Sequence, residues 1–148
     1  MRTMFVTLLA TLLAAAPLQS APFTKEAVAT KDAPSAAGPY TQAIAAGGFV
    51  FVSGFLARDP VTNKMIEGDV KVQTEQVLKN ISAVLKASGS SLDKVVKTTV
   101  YLRSTADFAA MNEVYGKFFT VVPPARTTVQ ASPPNDAALI EIDVIALQ

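Results

Sequence analysis

The chain has 148 residues, is half apolar, and carries 13 basic and 12 acidic side chains for a formal net charge of +1. That length fits one domain with a real core, and the low, balanced charge speaks against disorder and nucleic-acid binding. It has no Cys and no His, which excludes Ser-His-Asp and Cys-His nucleophile systems, ordinary zinc sites and haem held by His or Cys.

In chain order, Arg2 supplies a positive start and is followed by the apolar run Met4–Leu18. Broken only by Thr7 and Thr11 and ended by Pro17, this stretch of about 13 residues is short for a bilayer span. The pattern predicts a secretory signal peptide over residues 1–21, with Ser20 or Ala21 last before cleavage. The expected mature domain, 22–148, is periplasmic or secreted and has no stable membrane association after processing. It keeps 12 basic and 12 acidic residues, because the leader's only charge is Arg2. Glu26–Thr30 reads as a short edge strand, and Pro34 and Gly38-Pro39 break the chain. Tyr40–Ala45 reads as a strand leading into the Gly47-Gly48 turn. Phe49–Ser53 is a continuous apolar strand, expected to be buried on both faces and to end at Gly54. Asp59-Pro60 and Asn63 mark a turn.

Val70–Ala87 is predicted as a helix, since Val77, Leu78, Ile81, Val84 and Leu85 fall on one face. Asp69 is its N-cap and Gly89 its terminator; Lys79, Asn80 and Lys86 lie off the stripe. Val95–Leu102 is a β-branched strand with Lys97, Thr99 and Tyr101 on one face and Val96, Thr98, Val100 and Leu102 on the other. Ser104–Asp107 starts a second helix that runs to about Phe119, with Phe108, Met111, Val114, Tyr115 and Phe118 inward. Pro123 and Pro124 end it. The strands Ala125–Ala131 and Leu139–Leu147 finish the chain. This order predicts an α+β fold: a mixed sheet with both helices on one face. With no disulfide available, the bare face is expected to be covered by oligomerisation.

Without His and Cys, chemistry falls to carboxylates, Lys, Arg, Tyr, hydroxyls, backbone groups and water. Arg126 stands in the otherwise uncharged stretch 121–132. Alternation puts it with Thr128 and Gln130 on one strand face. A guanidinium there suits bidentate carboxylate binding or, equally, a structural ion pair with Glu141 or Asp143. Those two acids share a face of the last strand; one suits general acid/base work, and the other reading is a solvated face, preferred for Asp143. Gly38-Pro39-Tyr40 presents a phenol, Ser53-Gly54 offers backbone groups to a ligand, and Asn112 and Tyr115 sit one turn apart on the second helix.

Six stretches in order, SAAGPYTQAI, FVSG, VVKTTVYL, FAAMNEVYGKFF, PARTTV and IEIDVIAL, make the chain resemble the RidA/YjgF family of reactive-intermediate deaminases. The resemblance covers nearly all of 30–148. It implies a chorismate-mutase-like fold, a homotrimeric barrel, and ligand clefts between subunits. It also implies cofactor-free and metal-free hydrolysis of 2-imino or enamine acids to 2-oxo acids and ammonia. A non-catalytic small-carboxylate binder or chaperone-like protein is the alternative on the same fold. Carried over, Arg126 pairs with the substrate carboxylate and Glu141 handles the attacking water. Tyr40, Ser53 and Gly54 line the cleft; Asn112 and Tyr115 support it. Thr128 stands where many members have Cys, and Phe55 where many have Gln.

Overall fold

The computed structural model describes residues 24–148; the leader assigned to 1–21 lies outside the described residues. The elements are β1 (Lys25–Val28), β2 (Ala43–Ala46), β3 (Phe49–Leu56), α1 (Val70–Ala87), β4 (Val95–Leu102), α2 (Phe108–Phe118), β5 (Ala125–Gln130) and β6 (Ile140–Leu147). Short 3₁₀ turns precede β4 and α2. The strands form one six-stranded sheet in the order β1-β2-β3-β6-β4-β5. Only β4 and β5 run parallel, as their connection through α2 requires.

The α+β expectation holds, and so does the α1 boundary. The Asp69 carboxylate accepts the Val72 amide at 3.0 Å, which satisfies one of the free donors of the first turn. Gly89, at φ +78°, takes the left-handed conformation that ends the helix. The inward stripe of α1 meets Val50, Val52, Ile140, Ile142 and Val144 from the central strands in one core. Each fully buried aliphatic side chain there contributes on the order of 1.5–3 kcal/mol. Tyr115 on α2 closes the core over β4, its hydroxyl 2.8 Å from that of the fully buried Thr98.

Four local expectations need correction. The strand read over Tyr40–Ala45 begins only at Ala43. Before it, Gln42 turns inward, and its side-chain amide bonds the carbonyls of Thr30, Ala33 and Pro34 while accepting the Thr30 amide. β3 does not end at Gly54 but runs on to Leu56 through a bulge at Ser53-Gly54, where its register to β6 shifts. Nor is β3 buried on both faces: Val50 and Val52 point to the helices, while Phe49 and Phe51 are 38% and 45% exposed on the opposite face. Asn80, read as lying off the α1 stripe, is 1% exposed. It donates to the Arg58 carbonyl at 2.9 Å, so a buried polar group is satisfied by pinning the segment after β3.

Two further details follow from the same geometry. A second bulge near Val95–Lys97 breaks the alternation of β4, so Val96 is exposed rather than grouped with Thr98 and Val100. Phe108, expected inward, is exposed at the start of α2. The face of the sheet away from the helices carries Phe49, Phe51, Ile145 and Leu147 beside Lys97, Thr99, Tyr101, Glu141 and Asp143.

Candidate active site

A cleft of about 480 Å³ opens at the bulged end of β3, with Tyr40, Ser53, Gly54, Phe55, Leu56 and Glu141 in its walls. The extra residue in β3 makes it. Before the bulge Val52 pairs with Val144; after it Phe55 pairs with Ile142 and Leu56 with Glu141. The strand bends there and exposes the Ser53-Gly54 backbone. The Ser53 hydroxyl donates to the Thr41 carbonyl at 2.7 Å and its amide to the Gln42 carbonyl at 3.0 Å. The bulge is thereby tied to the loop that carries Tyr40. The Tyr40 hydroxyl accepts the Ala37 amide at 3.1 Å, and its ring packs on Gly38.

Glu141 comes from the centre of the sheet. Its carboxyl lies over Gly54: a Cβ there would come within 3.0 Å of Glu141 Cδ and nearer still to Oε1. Gly54 is not among the positive-φ glycines, so the residue is small for space rather than for backbone freedom. Burial first, and then the neighbouring Asp143 charge, push the Glu141 carboxyl above the ordinary carboxylate range. Asp143 is half-buried instead of lying on a fully solvated face, so the expectation for it is corrected.

Arg126 is not in this cleft. It pairs with Thr98 in the β4–β5 ladder and therefore faces the helices, whereas Glu141 pairs with Tyr101 and faces away from them. The Arg126 guanidinium carbon lies 4.6 Å from the Tyr115 ring centroid and 5.7 Å from that of Phe108, a cation–π seat. The ion pair with Glu141 or Asp143 is thus ruled out within one chain. Thr128 shares the Arg126 face, and its Oγ1 is buried without a hydrogen-bond partner among the described residues. Asn112 is half-buried on α2, near Tyr115 and outside the cleft.

The predicted site residues therefore form two groups: Tyr40, Ser53, Gly54 and Glu141 at the cleft, and Arg126, Thr128, Asn112 and Tyr115 on the helix side. Three contributors escaped the sequence reading. Gln42 and Asn80 hold the cleft walls, and Tyr101 stands beside Glu141; a Gln beside the GPY turn was the only available hint. Among the described residues no cluster of three or more acidic, His or Cys side chains suits a metal ion, and no helix is long and apolar enough to cross a membrane.

Over residues 30–148 the chain matches the protein family described as Endoribonuclease L-PSP. The chain belongs to this family, the RidA/YjgF group. It is 50% identical over 122 residues to the chloroplastic Reactive Intermediate Deaminase A of Arabidopsis thaliana, covering 82% of this chain and 65% of that one. The solved RidA of the Antarctic bacterium Psychrobacter superposes with a TM-score of 0.79 at 40% identity, covering 83% of this chain and 99% of that one. Escherichia coli TdcF with bound serine gives a TM-score of 0.78 at 34% identity, covering 83% and 98% of the two chains. Family membership and the deaminase relative support an enamine/imine deaminase role.

Proposed function

We propose that the protein hydrolyses reactive 2-imino acids, or their enamine tautomers, to 2-oxo acids and ammonia. The observation that carries this reading is the half-buried Glu141 carboxyl, raised in pKa and seated over Gly54 at the wall of a cleft. A carboxyl shifted up toward neutrality can both take and return a proton. Water adds to C2 of the protonated imine while Glu141 accepts its proton. Glu141 then returns that proton to the amine nitrogen; as the C–N bond breaks and ammonia leaves, Glu141 takes the C2 hydroxyl proton, C2 becomes the ketone, and this proton departs with the ammonia as ammonium. An iminium carbon is already electrophilic, so positioning plus one acid/base group suffices.

Arg126 supplies the carboxylate grip, and the serine bound to TdcF is the same class of small carboxylate. Because Arg126 and Glu141 lie on opposite sheet faces, the complete site joins Glu141 of one subunit to Arg126 of the next. The exposed Phe49 and Phe51 favour such an assembly, for which we adopt the homotrimer. Phe55 in the cleft wall favours acids with apolar side chains, starting with 2-iminopropanoate and 2-iminobutanoate. If the leader expected at 1–21 is a signal peptide, this activity lies outside the cytoplasm, and fractionation of cells expressing the full chain tests that.

The decisive experiment generates 2-iminobutanoate enzymatically and follows its loss. Wild type should accelerate it, and Arg126→Ala and Glu141→Gln should each be inactive while folded. Equal mixing of the two variants by reversible unfolding should restore about a quarter of the clefts if sites are shared between neighbours in a ring. No acceleration by wild type sinks the reading; activity in either variant alone sinks its assigned role. Run on RNA, the same preparation should show no cleavage, the activity that the family's description names.

A further inference from the structure

Behind Glu141, on the side away from the cleft, lies a second cavity of about 240 Å³ with Gly54, Tyr101, Glu141 and Asp143 in its walls. Gly54 and Glu141 line both cavities, so the Glu141 side chain is the partition between them. Its neighbours on the back side are set by the sheet. Tyr101 is its direct cross-strand partner on β4, and Asp143, two residues along β6, points to the same face opposite Thr99. We propose that Asp143 and Tyr101 form a positioning pair that holds the Glu141 carboxyl in its working orientation from behind the cleft. The inference rests on the deaminase reading above and assigns to that site two residues outside the ligand cleft.

The geometry makes the pair one-sided. Of the charged or titratable side chains lining the two cavities, Tyr40 and Arg58 stand on the cleft side, and Tyr101 and Asp143 on the back. Arg58 is already engaged, donating to the Asn63 carbonyl at 3.0 Å. Asp143 is thus the one anion facing Glu141 among them, and its charge adds to burial in disfavouring ionised Glu141. The Tyr101 phenol is pushed up by burial first and then by Asp143, so it stays a protonated donor on the sheet face and cavity wall it shares with that carboxylate. Repulsion between the carboxylates drives Glu141 toward the cleft, while the phenol keeps Asp143 in place. When the departing amine needs a proton, a Glu141 so placed can supply it.

The test uses the full protein as wild type, Asp143→Asn, Asp143→Glu and Tyr101→Phe. It reads kcat and KM for 2-iminobutanoate across pH, and the carbon NMR titration of the Glu141 carboxyl, assigned by its absence in Glu141→Gln. Asp143→Asn keeps the shape and removes the charge. The Glu141 midpoint should fall and kcat should drop roughly tenfold at unchanged KM. Asp143→Glu should restore both, and Tyr101→Phe should lower kcat without changing KM. An unmoved midpoint and kcat in Asp143→Asn overturns the proposal, as does a joint loss of KM and melting temperature with no midpoint shift. If wild type is inactive on imines, the deaminase reading has failed; the NMR titration still decides whether Asp143 controls Glu141.

Discussion

Gly54→Ala separates the catalytic demand on Gly54 from any demand of folding. The new Cβ would overlap Glu141 Oε1, lie 3.0 Å from Cδ and lie 3.2 Å from Cγ. Ordinary carbon–oxygen contact therefore requires the carboxylate end to swing by about 1 Å or more. The backbone at Gly54 is open to an L-residue, and the obstructing atoms are the end of a flexible side chain. Stability should therefore change by less than about 1 kcal/mol, below the usual cost of overpacking a rigid core. Activity should suffer far more, since a displacement of about 1 Å at a catalytic group can cost 10²-fold. Urea unfolding and steady-state imine hydrolysis on the same preparation give both numbers. Wild-type kcat in a stable Gly54→Ala protein would refute the seat assigned to Glu141. A loss of several kcal/mol would show Gly54 to be structural.

Three further outcomes follow from the same contacts. Glu141→Gln should stabilise the protein increasingly as pH rises. The folded pKa of Glu141 lies above its unfolded value, so its favourable contribution is complete below the unfolded pKa and is lost through the folded one; a difference in urea midpoint independent of pH would contradict this. Asn80→Ala removes the amide that holds the Arg58 carbonyl and should cost about 1–3 kcal/mol, with a weaker KM as the cleft wall loosens; denaturant melts and kinetics check both. Phe51→Asp puts a charge on the apolar sheet face and should yield smaller, inactive species by light scattering, whereas an unchanged mass would remove that face from the assembly.

The helices and the succession of elements along the chain were legible because their signals are local: the apolar spacing of Val77 to Leu85, the Asp69 cap and the prolines before Ala125. Side-chain direction was less so. Alternation within β5 correctly grouped Arg126 with Thr128, and alternation within β6 correctly grouped Glu141 with Asp143. Neither tells which sheet face a group takes, because that depends on pairing across strands. Arg126 and Glu141 thus looked like neighbours and prove to be back to back. The bulges at Ser53-Gly54 and near Val96 each shift the count by one residue, which no local pattern announces. Asn80 and Gln42 are polar by type and buried by partnership, since their carbonyl partners lie 22 residues or 8 to 12 residues away in the chain.

Gln42 has a kinetic consequence. Its amide is stapled to three carbonyls and one amide of the segment from Thr30 to Pro34, so this wall of the cleft is in place before any ligand arrives. Along that wall the hydrogen bonds that capture needs are already made, which lowers the ordering cost of binding there. A compound that water destroys within its own short lifetime sets a race between spontaneous decay and encounter. For such a substrate, a wall that is always ready leaves encounter frequency, rather than closure, to decide how much is intercepted.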